Sequence, residues 1–458
     1  MIVTRIDENI FMVHVLNMTE KLPSILHLYQ QMVTAALLQY LQKQAGMKVR
    51  RGIYSPRVVL WLMILQRLHA GATLESAVQL LIQGAAGCLL DQCERVRRQR
   101  ISGRTGGYCQ ARRKLPKLLC RQVTEEIIEQ LRQILNRDAT GQRNVFLLDG
   151  SSLELEHCPE ILRDYPTAEN QYGKSHWPVL RMVVAHDVDT GLAQPPQWGP
   201  MYGAEAVSEQ ELAEKVMAHL PAGGTVLGDR NFGVFWVAQT AQQQGLHSLL
   251  RLTEVRAHKL AGSIAQAGEY EVVWKASRFD GGKRRKFDVD STVAGRLIAA
   301  QIGRGKSKQW LFLFTTLALP AKEIVALYGR RWNIEIDLRS LKRTVRLHHI
   351  SVKTPDMLEK ELLMATSAYN FVRAVMCMAA RRNRIDPRQL SFAGVLNVVN
   401  YAWGKLIASP TRTDHDREFL RTLDLAAQCT LPKRLKRRSY PRSVWRRHNT
   451  FPHRKEKN

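Results

Sequence analysis

Two short apolar runs that each stop at an aspartate constrain this chain more than any other feature. The first, Val145-Phe146-Leu147-Leu148, ends at Asp149 and passes at once into Gly150-Ser151-Ser152. The second, Thr225-Val226-Leu227, lies in the stretch GGTVLGDRNFG and delivers Asp229 just beyond it. Runs this short and apolar, bounded by turn-forming residues, read as strands buried on both faces. In an open α/β sheet, functional groups gather beyond the strand ends, where both aspartates would lie. Taken singly, each aspartate also fits an ordinary turn or helix cap. Two on one pattern argue for a shared place.

The sequence between them supports a sheet. VLRMVVAHDVDTGLAQ has the form of a β-hairpin turning from Asp187 to Gly191, with Asp187 and Asp189 as turn residues. A polar helix follows over Ser208 to His219; Glu205, Glu209, Glu211 and Glu214 lie on or near it, and no chemistry attaches to them. A further helix is expected from Val234 to Gln244.

A third carboxylate is offered by YGRRWNIEIDLRSLK, residues 328–342, whose spacing is Y-x2-R-x3-E-x6-K. At about 100° per residue, Tyr328, Arg331, Glu335 and Lys342 fall within roughly 60° of one another on a helix, while Asp337 points to the opposite side. Leu327, Ile334, Leu338, Leu341 and Val345 form an apolar stripe beside them, so the helix can rest on a core and present its polar arc to a cleft. Alone, such a stripe also fits an amphipathic helix with ordinary ion pairs. Three carboxylates converging on one place repel unless cations neutralise them. Mg²⁺ or Mn²⁺ would do so, and could clamp both the attacking and the leaving oxygen of a phosphodiester.

Charge narrows the partner. The 458 residues carry a formal charge of +27 and a pI near 10.1, which favours polyanions and above all nucleic acid. No apolar run approaches the 18 residues of a spanning helix, so no membrane partner is expected. The N-terminal MIVTRIDENIFMVHVL carries Asp7 and Glu8 and lacks the form of a secretory signal, which predicts a cytoplasmic protein. Seven scattered cysteines with no CxxC pair argue against a disulfide framework or a structural zinc site. A chain this long is expected to hold two or three domains.

The first 140 or so residues read as helical, with apolar periodicity over Ile25 to Gln44, Pro56 to Leu68, Leu74 to Ile82 and Val123 to Leu135. Between two of these helices lies ERVRRQRISGRTGGYCQARRKLPK. It offers Arg104, Gln110, Arg112, Arg113 and Lys114 as DNA-backbone contacts, or else is a merely solvated basic linker. Strand-like runs fill Leu250 to Leu317, with basic turns at Arg278 to Lys286 and Arg304 to Lys308. Met357 to Arg382 reads as a helix, and the tail KRLKRRSYPRSVWRRHNTFPHRKEKN is expected to be disordered until captured on DNA.

Asp149 within LLDGSS, Asp229 within LGDRNFG and Glu335 within the Y-x2-R-x3-E-x6-K signature resemble the three catalytic blocks of the IS4 family of DDE transposases, encoded by bacterial insertion sequences. All four signature positions match, Trp332 is a common companion there, and the resemblance runs from about Val145 to Arg373. It implies an α/β fold with a ribonuclease-H-like catalytic core interrupted by a β-rich insertion. An all-α N-terminal domain would precede this core, with helices and a basic tail after it. The boundaries are 1–140 for the helical DNA-binding region, 141–249 and 318–385 for the two parts of the core, 250–317 for the insertion, and 386–458 for the C-terminal region. By this resemblance, Asp149, Asp229 and Glu335 hold two Mg²⁺ ions, replaceable by Mn²⁺, and hydrolysis at the element's ends frees a 3′-hydroxyl that attacks target DNA. Tyr328, Arg331 and Lys342 would grip phosphates near the cleaved end, with Trp332, Arg230, Arg104, Arg112 and Arg113 as further DNA contacts. Some relatives stack a flipped base on a tryptophan of the insertion; Trp274 and Trp310 are the candidates, although burial in the sheet explains both. The partners would be double-stranded DNA, both the terminal inverted repeats and the target, bound by a dimer on the bacterial nucleoid. Two other functions stay open: a nuclease of the same core that never joins DNA, and a non-catalytic basic DNA-binding protein.

Overall fold

A computed structural model describes residues 25–432 except 48–51, 70–72, 87–88, 91–92, 99, 137–143, 172, 278–289, 304–307, 348–349 and 409–411. Asp7, Glu8, the basic turn at 278–286, most of that at 304–308 and the basic tail lie outside the described residues.

The chain opens with helices α1 (Ile25–Met32) and α2 (Ala35–Gln44). A single periodic stretch in the sequence is thus two helices, because Thr34 turns out of helical geometry and caps α2 by accepting from the Leu37 amide at 3.1 Å. Next come α3 (Pro56–Leu68), with Pro56 in its first turn, and α4 (Leu74–Ile82), capped by Thr73. The basic loop leads into α5 (Gly106–Lys114), followed by α6 (Lys117–Asn136).

The sheet begins with β1 (Val145–Glu154), then α7 (Pro159–Asp164), β2 (Thr167–Asn170), β3 (Gly173–Asp187) and β4 (Gln197–Pro200). Helix α8 (Glu209–Met217), β5 (Thr225–Gly228), α9 (Phe235–Gln243), β6 (His247–Leu252) and α10 (Glu254–Ala261) come next. Strands β7 (Gly268–Lys275), β8 (Thr292–Ile302) and β9 (Gln309–Thr315) complete it. The nine strands form one mixed sheet ordered β2-β3-β1-β5-β6-β9-β8-β7, with β4 on β3. The strands read as an insertion therefore extend the central sheet itself, because β9 pairs with β6, Leu250 opposite Phe314.

The register that matters most lies at the centre. β1 and β5 run parallel with Leu147 opposite Leu227, so Asp149 and Asp229, each two residues further on, lie side by side just past the last β1–β5 pair. Asp229 follows the end of β5, but β1 does not stop at Asp149 as its apolar run predicts: it continues to Glu154, held by its pairing with β3, Asp149 opposite Val184. Neighbouring strands lie about 4.8 Å apart, which sets the scale of their separation.

After the sheet, α11 (Ala321–Gly329) passes through a 3-10 turn (Arg330–Trp332) into α12 (Asn333–Arg339) and a π-helical turn (Ser340–Thr344). Then follow α13 (Pro355–Arg382), a 3-10 turn (Pro387–Gln389), α14 (Phe392–Ala408) and α15 (Arg412–Gln428). One apolar cluster takes in residues from Ile25 to Ala427, so the N-terminal helices and the sheet share a core, with α13 packed between α3, α6 and α15. By length and hydropathy α13 could cross a membrane, which corrects the expectation that no run reaches that length; its apolar window is 94% buried in protein, as in a core helix.

Candidate active site

Val145 to Leu148 are buried, and β1 stays paired with β3 through Asp149 to Glu154, so the Asp149 backbone is fixed within the sheet. Asp149 Oδ1 accepts from the Gly150 amide at 2.8 Å. One strand away, Asp229 Oδ1 accepts from the Asn231 amide at 2.8 Å, which holds the turn after β5 against its carboxylate. Burial pushes the Asp149 carboxyl up to about 6, and the charges of Asp229 and Glu209 add to it, against the Gly150 amide and the Arg331 guanidinium. An aspartate with this shift, beside a second carboxylate in the centre of the sheet, is a candidate functional group.

Glu209 is the residue that sequence reasoning passed over. It is the first residue of α8, whose start is fixed by a capping box between Ser208 and Glu211. Its carboxylate lies over the Cα of Gly150, where any Cβ would overlap it. Burial raises its pKa and Asp229 raises it further, while Arg181 and a hydrogen bond from Asn231 oppose the rise. The one available signal was a glycine inside a strand directly after Asp149, a mark of close approach by another group.

The signature residues do not sit on one uniform helix. Tyr328 lies in the last turn of α11, Arg331 in the 3-10 turn, Glu335 in α12 and Lys342 in the π turn, closed by the Val345 amide on the Ser340 carbonyl at 3.0 Å. Ile334, Leu338, Leu341 and Val345 are buried as the apolar stripe requires. Tyr328 is buried; its hydroxyl is pushed up by burial, with Arg331 and Arg251 drawing it down and Asp229 raising it. Arg331 lies 3.5 Å from Glu335 and packs its guanidinium 5.4 Å from the Trp332 ring centre. The turn thus brings Arg331 within electrostatic reach of Asp149 and Tyr328 within reach of Asp229, while Glu335 is paired with Arg331.

Lys342 reaches β1, donating to the Ser152 carbonyl at 2.8 Å, three residues beyond Asp149 and so about 10 Å along the strand. Burial lowers its pKa, as does Arg343, against Glu154. Asp337 faces away, as its helical phase predicts: it is buried and paired with Arg388 at 2.7 Å.

The remaining candidates divide. Trp332 is 65% exposed beside the site, and Arg230 is exposed next to Asp229. Arg104, Gln110, Arg113 and Lys114 are exposed on or near α5. Arg112 instead turns inward to Glu361 on α13, which Arg67 also engages, and only 12% of its side chain is exposed. Trp274 packs edge-on against Phe314 at 4.9 Å and Trp310 stacks on Phe312 at 5.7 Å, so both belong to the packing of the sheet.

Two carboxylates on neighbouring strands, Asp149 within β1 and Asp229 just beyond β5, one held above its ordinary pKa by burial and by its neighbours' charge, fit a hard divalent cation, which would relieve that cost. Among the described residues no three His, Cys, Asp or Glu side chains stand together closely enough to enclose a metal ion; the Glu335 carboxylate is turned to Arg331.

A family model described as the transposase DDE domain matches residues 140–371. Over 311 residues the chain is 26% identical to the transposase InsG for insertion sequence element IS4 of Escherichia coli strain K12, covering 67% of this chain and 68% of that protein. A solved cryo-EM structure of the piggyBac transposase synaptic complex with hairpin DNA aligns with a TM-score of 0.44 at 10% identity, over 90% of this chain and 86% of that one.

Proposed function

Because the chain belongs to the DDE-domain transposases and is an insertion-sequence transposase of the IS4 type, we propose that Asp149, Asp229 and Glu335 are its catalytic carboxylates, acting on the ends of its own element. DDE transposases typically use divalent metal ions, and two Mg²⁺ or Mn²⁺ ions held by these three residues would activate water and stabilise the leaving 3′ oxygen. The observation that carries this reading is the parallel register of Leu147 with Leu227, which sets Asp149 beside Asp229. The core is read as ribonuclease-H-like, with a parallel β1–β5–β6 centre carrying both aspartates.

The chain's own residues supply the rest. Arg331 binds a phosphate near the scissile bond through its planar fork, and Lys342 adds a compact charge further along β1. A phosphate arriving at Arg331 competes with Glu335 for the guanidinium, which leaves that carboxylate to turn toward the aspartates. Tyr328 lines the same pocket. Trp332, exposed beside Arg331, stacks against the DNA end, and Arg230, Arg104 and Arg113 contact the backbone of double-stranded DNA. Two element ends must be brought together, for which a dimer on DNA is proposed, in the cytoplasm at the nucleoid.

Asp149→Asn tests the proposal. Binding to the terminal inverted repeats should persist while Mg²⁺-dependent cleavage at the ends is lost, and cleavage by this variant would overturn the assignment. Joined products from pre-cut ends would establish strand transfer over simple hydrolysis.

A further inference from the structure

We propose that Glu209 is a positioning residue of the active site, acting through Asn231 to hold Asp229 in place beside Asp149. The inference rests on the reading of those two aspartates as catalytic.

Glu209 touches both aspartate-bearing segments. On one side its carboxylate covers Gly150, the residue after Asp149, in space that any side chain there would fill. On the other it accepts a hydrogen bond from the Asn231 side-chain amide. Asn231 in turn donates its backbone N–H to Asp229 Oδ1 at 2.8 Å. The neighbouring Gln210 Nε2 donates to the Asn231 carbonyl and side-chain oxygens at 2.9 and 2.8 Å. The first turn of α8 therefore grips the loop after β5 from its backbone and its side chain. The capping box uses Ser208 and Glu211 to start that helix, so Glu209 is not needed for the cap.

Electrostatics makes this an expensive arrangement for a purely structural contact. A third carboxylate beside Asp149 and Asp229 repels both, and Arg181 and Asn231 answer it only in part. A carboxylate retained at such a point fits a role in the geometry of the pair. Charged acceptors hold an amide donor more firmly than neutral ones do, which suits a glutamate to fixing a short loop. Groups that orient metal-binding side chains in this way typically matter about 10- to 100-fold for metal affinity or activity.

The test uses the full-length protein with Glu209→Ala, Glu209→Gln, Asn231→Ala and the Glu209→Ala/Asn231→Ala double variant, with Asp149→Asn as control. Mn²⁺ binding is followed by calorimetry, and end cleavage is separated into kcat and KM for a terminal-repeat duplex, with melting temperature alongside. Glu209→Ala and Asn231→Ala should each lower Mn²⁺ affinity and kcat about 10- to 100-fold, with KM and melting temperature unchanged. Glu209→Gln, which keeps a weaker, neutral acceptor for Asn231, should lose clearly less than alanine, and the double variant should be no worse than either single one. Wild-type Mn²⁺ affinity and kcat in Glu209→Ala would overturn the inference. So would a double variant whose loss is the product of the two, or a glutamine variant as damaged as alanine, since Glu209 would then act directly. If Glu209→Ala melts early, Asn231→Ala, on an exposed loop residue, carries the test alone. Cleavage surviving in Asp149→Asn would remove the underlying reading; its loss there alongside a normal Glu209→Ala would remove this inference only.

Discussion

Arg388 holds Asp337 with Nη1 2.8 and 2.7 Å from the two carboxylate oxygens, on the buried side of the helix whose exposed side carries Glu335. The same guanidinium donates from Nε to the Val188 carbonyl at 2.9 Å and from Nη2 to the Asp187 carbonyl at 2.7 Å. Arg330 adds a bond to Asp189 at 2.5 Å. The turn after β3 and the helix that carries Glu335 are thereby locked together. Removing one partner of a buried pair costs about 3–5 kcal/mol, because the other charge is left stranded. Arg388→Ala should lower unfolding free energy by about that amount in urea denaturation, whereas Asp337→Leu/Arg388→Met should lose much less.

Asp149 should oppose stability at neutral pH. Its folded carboxyl is raised to about 6 from 3.8, so folding favours the protonated form and the ionised form is penalised. The penalty is full above pH 6, about 3 kcal/mol at 1.36 kcal/mol per unit, and fades as pH falls toward 4. Asp149→Asn should therefore be more stable than wild type at pH 7 without divalent ions. The two should converge near pH 4, as denaturation curves at both values will show.

His186 should make the fold acid-sensitive. Burial lowers its pKa to about 4; Asp337 opposes this, and Arg388 and Arg373 reinforce it. Among the described residues neither ring nitrogen has a hydrogen-bond partner. The unfolded chain takes up the proton near pH 6.5, while the folded chain refuses it until about pH 4. Stability is thus full above 6.5, falls by about 3 kcal/mol between 6.5 and 4, and levels off below. His186→Phe, which keeps the edge-on contact with Tyr369, should lack this share of the decline when the two pH profiles are subtracted.

Arg112 and Arg113, adjacent in sequence, should behave differently. Arg113→Ala should weaken duplex binding about equally across sequences and reduce the slope of log K against log salt by about one. Arg112→Ala should leave that slope unchanged and lower stability by about 1.5–3 kcal/mol, the range for a hydrogen bond to a charged group, because its guanidinium is spent on Glu361.

Trp332→Ala should leave unfolding free energy within about 0.5 kcal/mol, as for other exposed sites, while reducing affinity for the terminal-repeat duplex. Unchanged affinity in a gel-shift titration would remove Trp332 from the DNA contacts.

The sequence by itself determined the features set by local pattern. The apolar runs before Asp149 and Asp229 mark buried strand segments that carry a carboxylate at their polar end, although β1 continues past Asp149 to Glu154 on β3, and helical phase alone separates Tyr328, Arg331 and Glu335 from Asp337. Charge pointed to a polyanion without any structure. Only the tertiary structure decided which distant side chains meet. Glu209 reaches Gly150 because α8 packs on β3 and β4 beside β1, and apart from the glycine itself nothing within helical or strand period of either residue records it. Arg112 looks like its exposed neighbours until α13, 249 residues away, presents Glu361 to it. Periodicity also predicts an even helix through Lys342, whereas the 3-10 and π turns change its pitch twice and bring that lysine onto β1. Period and propensity describe neighbours along the chain. Contacts across the core are fixed by packing and by the need to satisfy buried charge, which involve residues that local pattern cannot bring together.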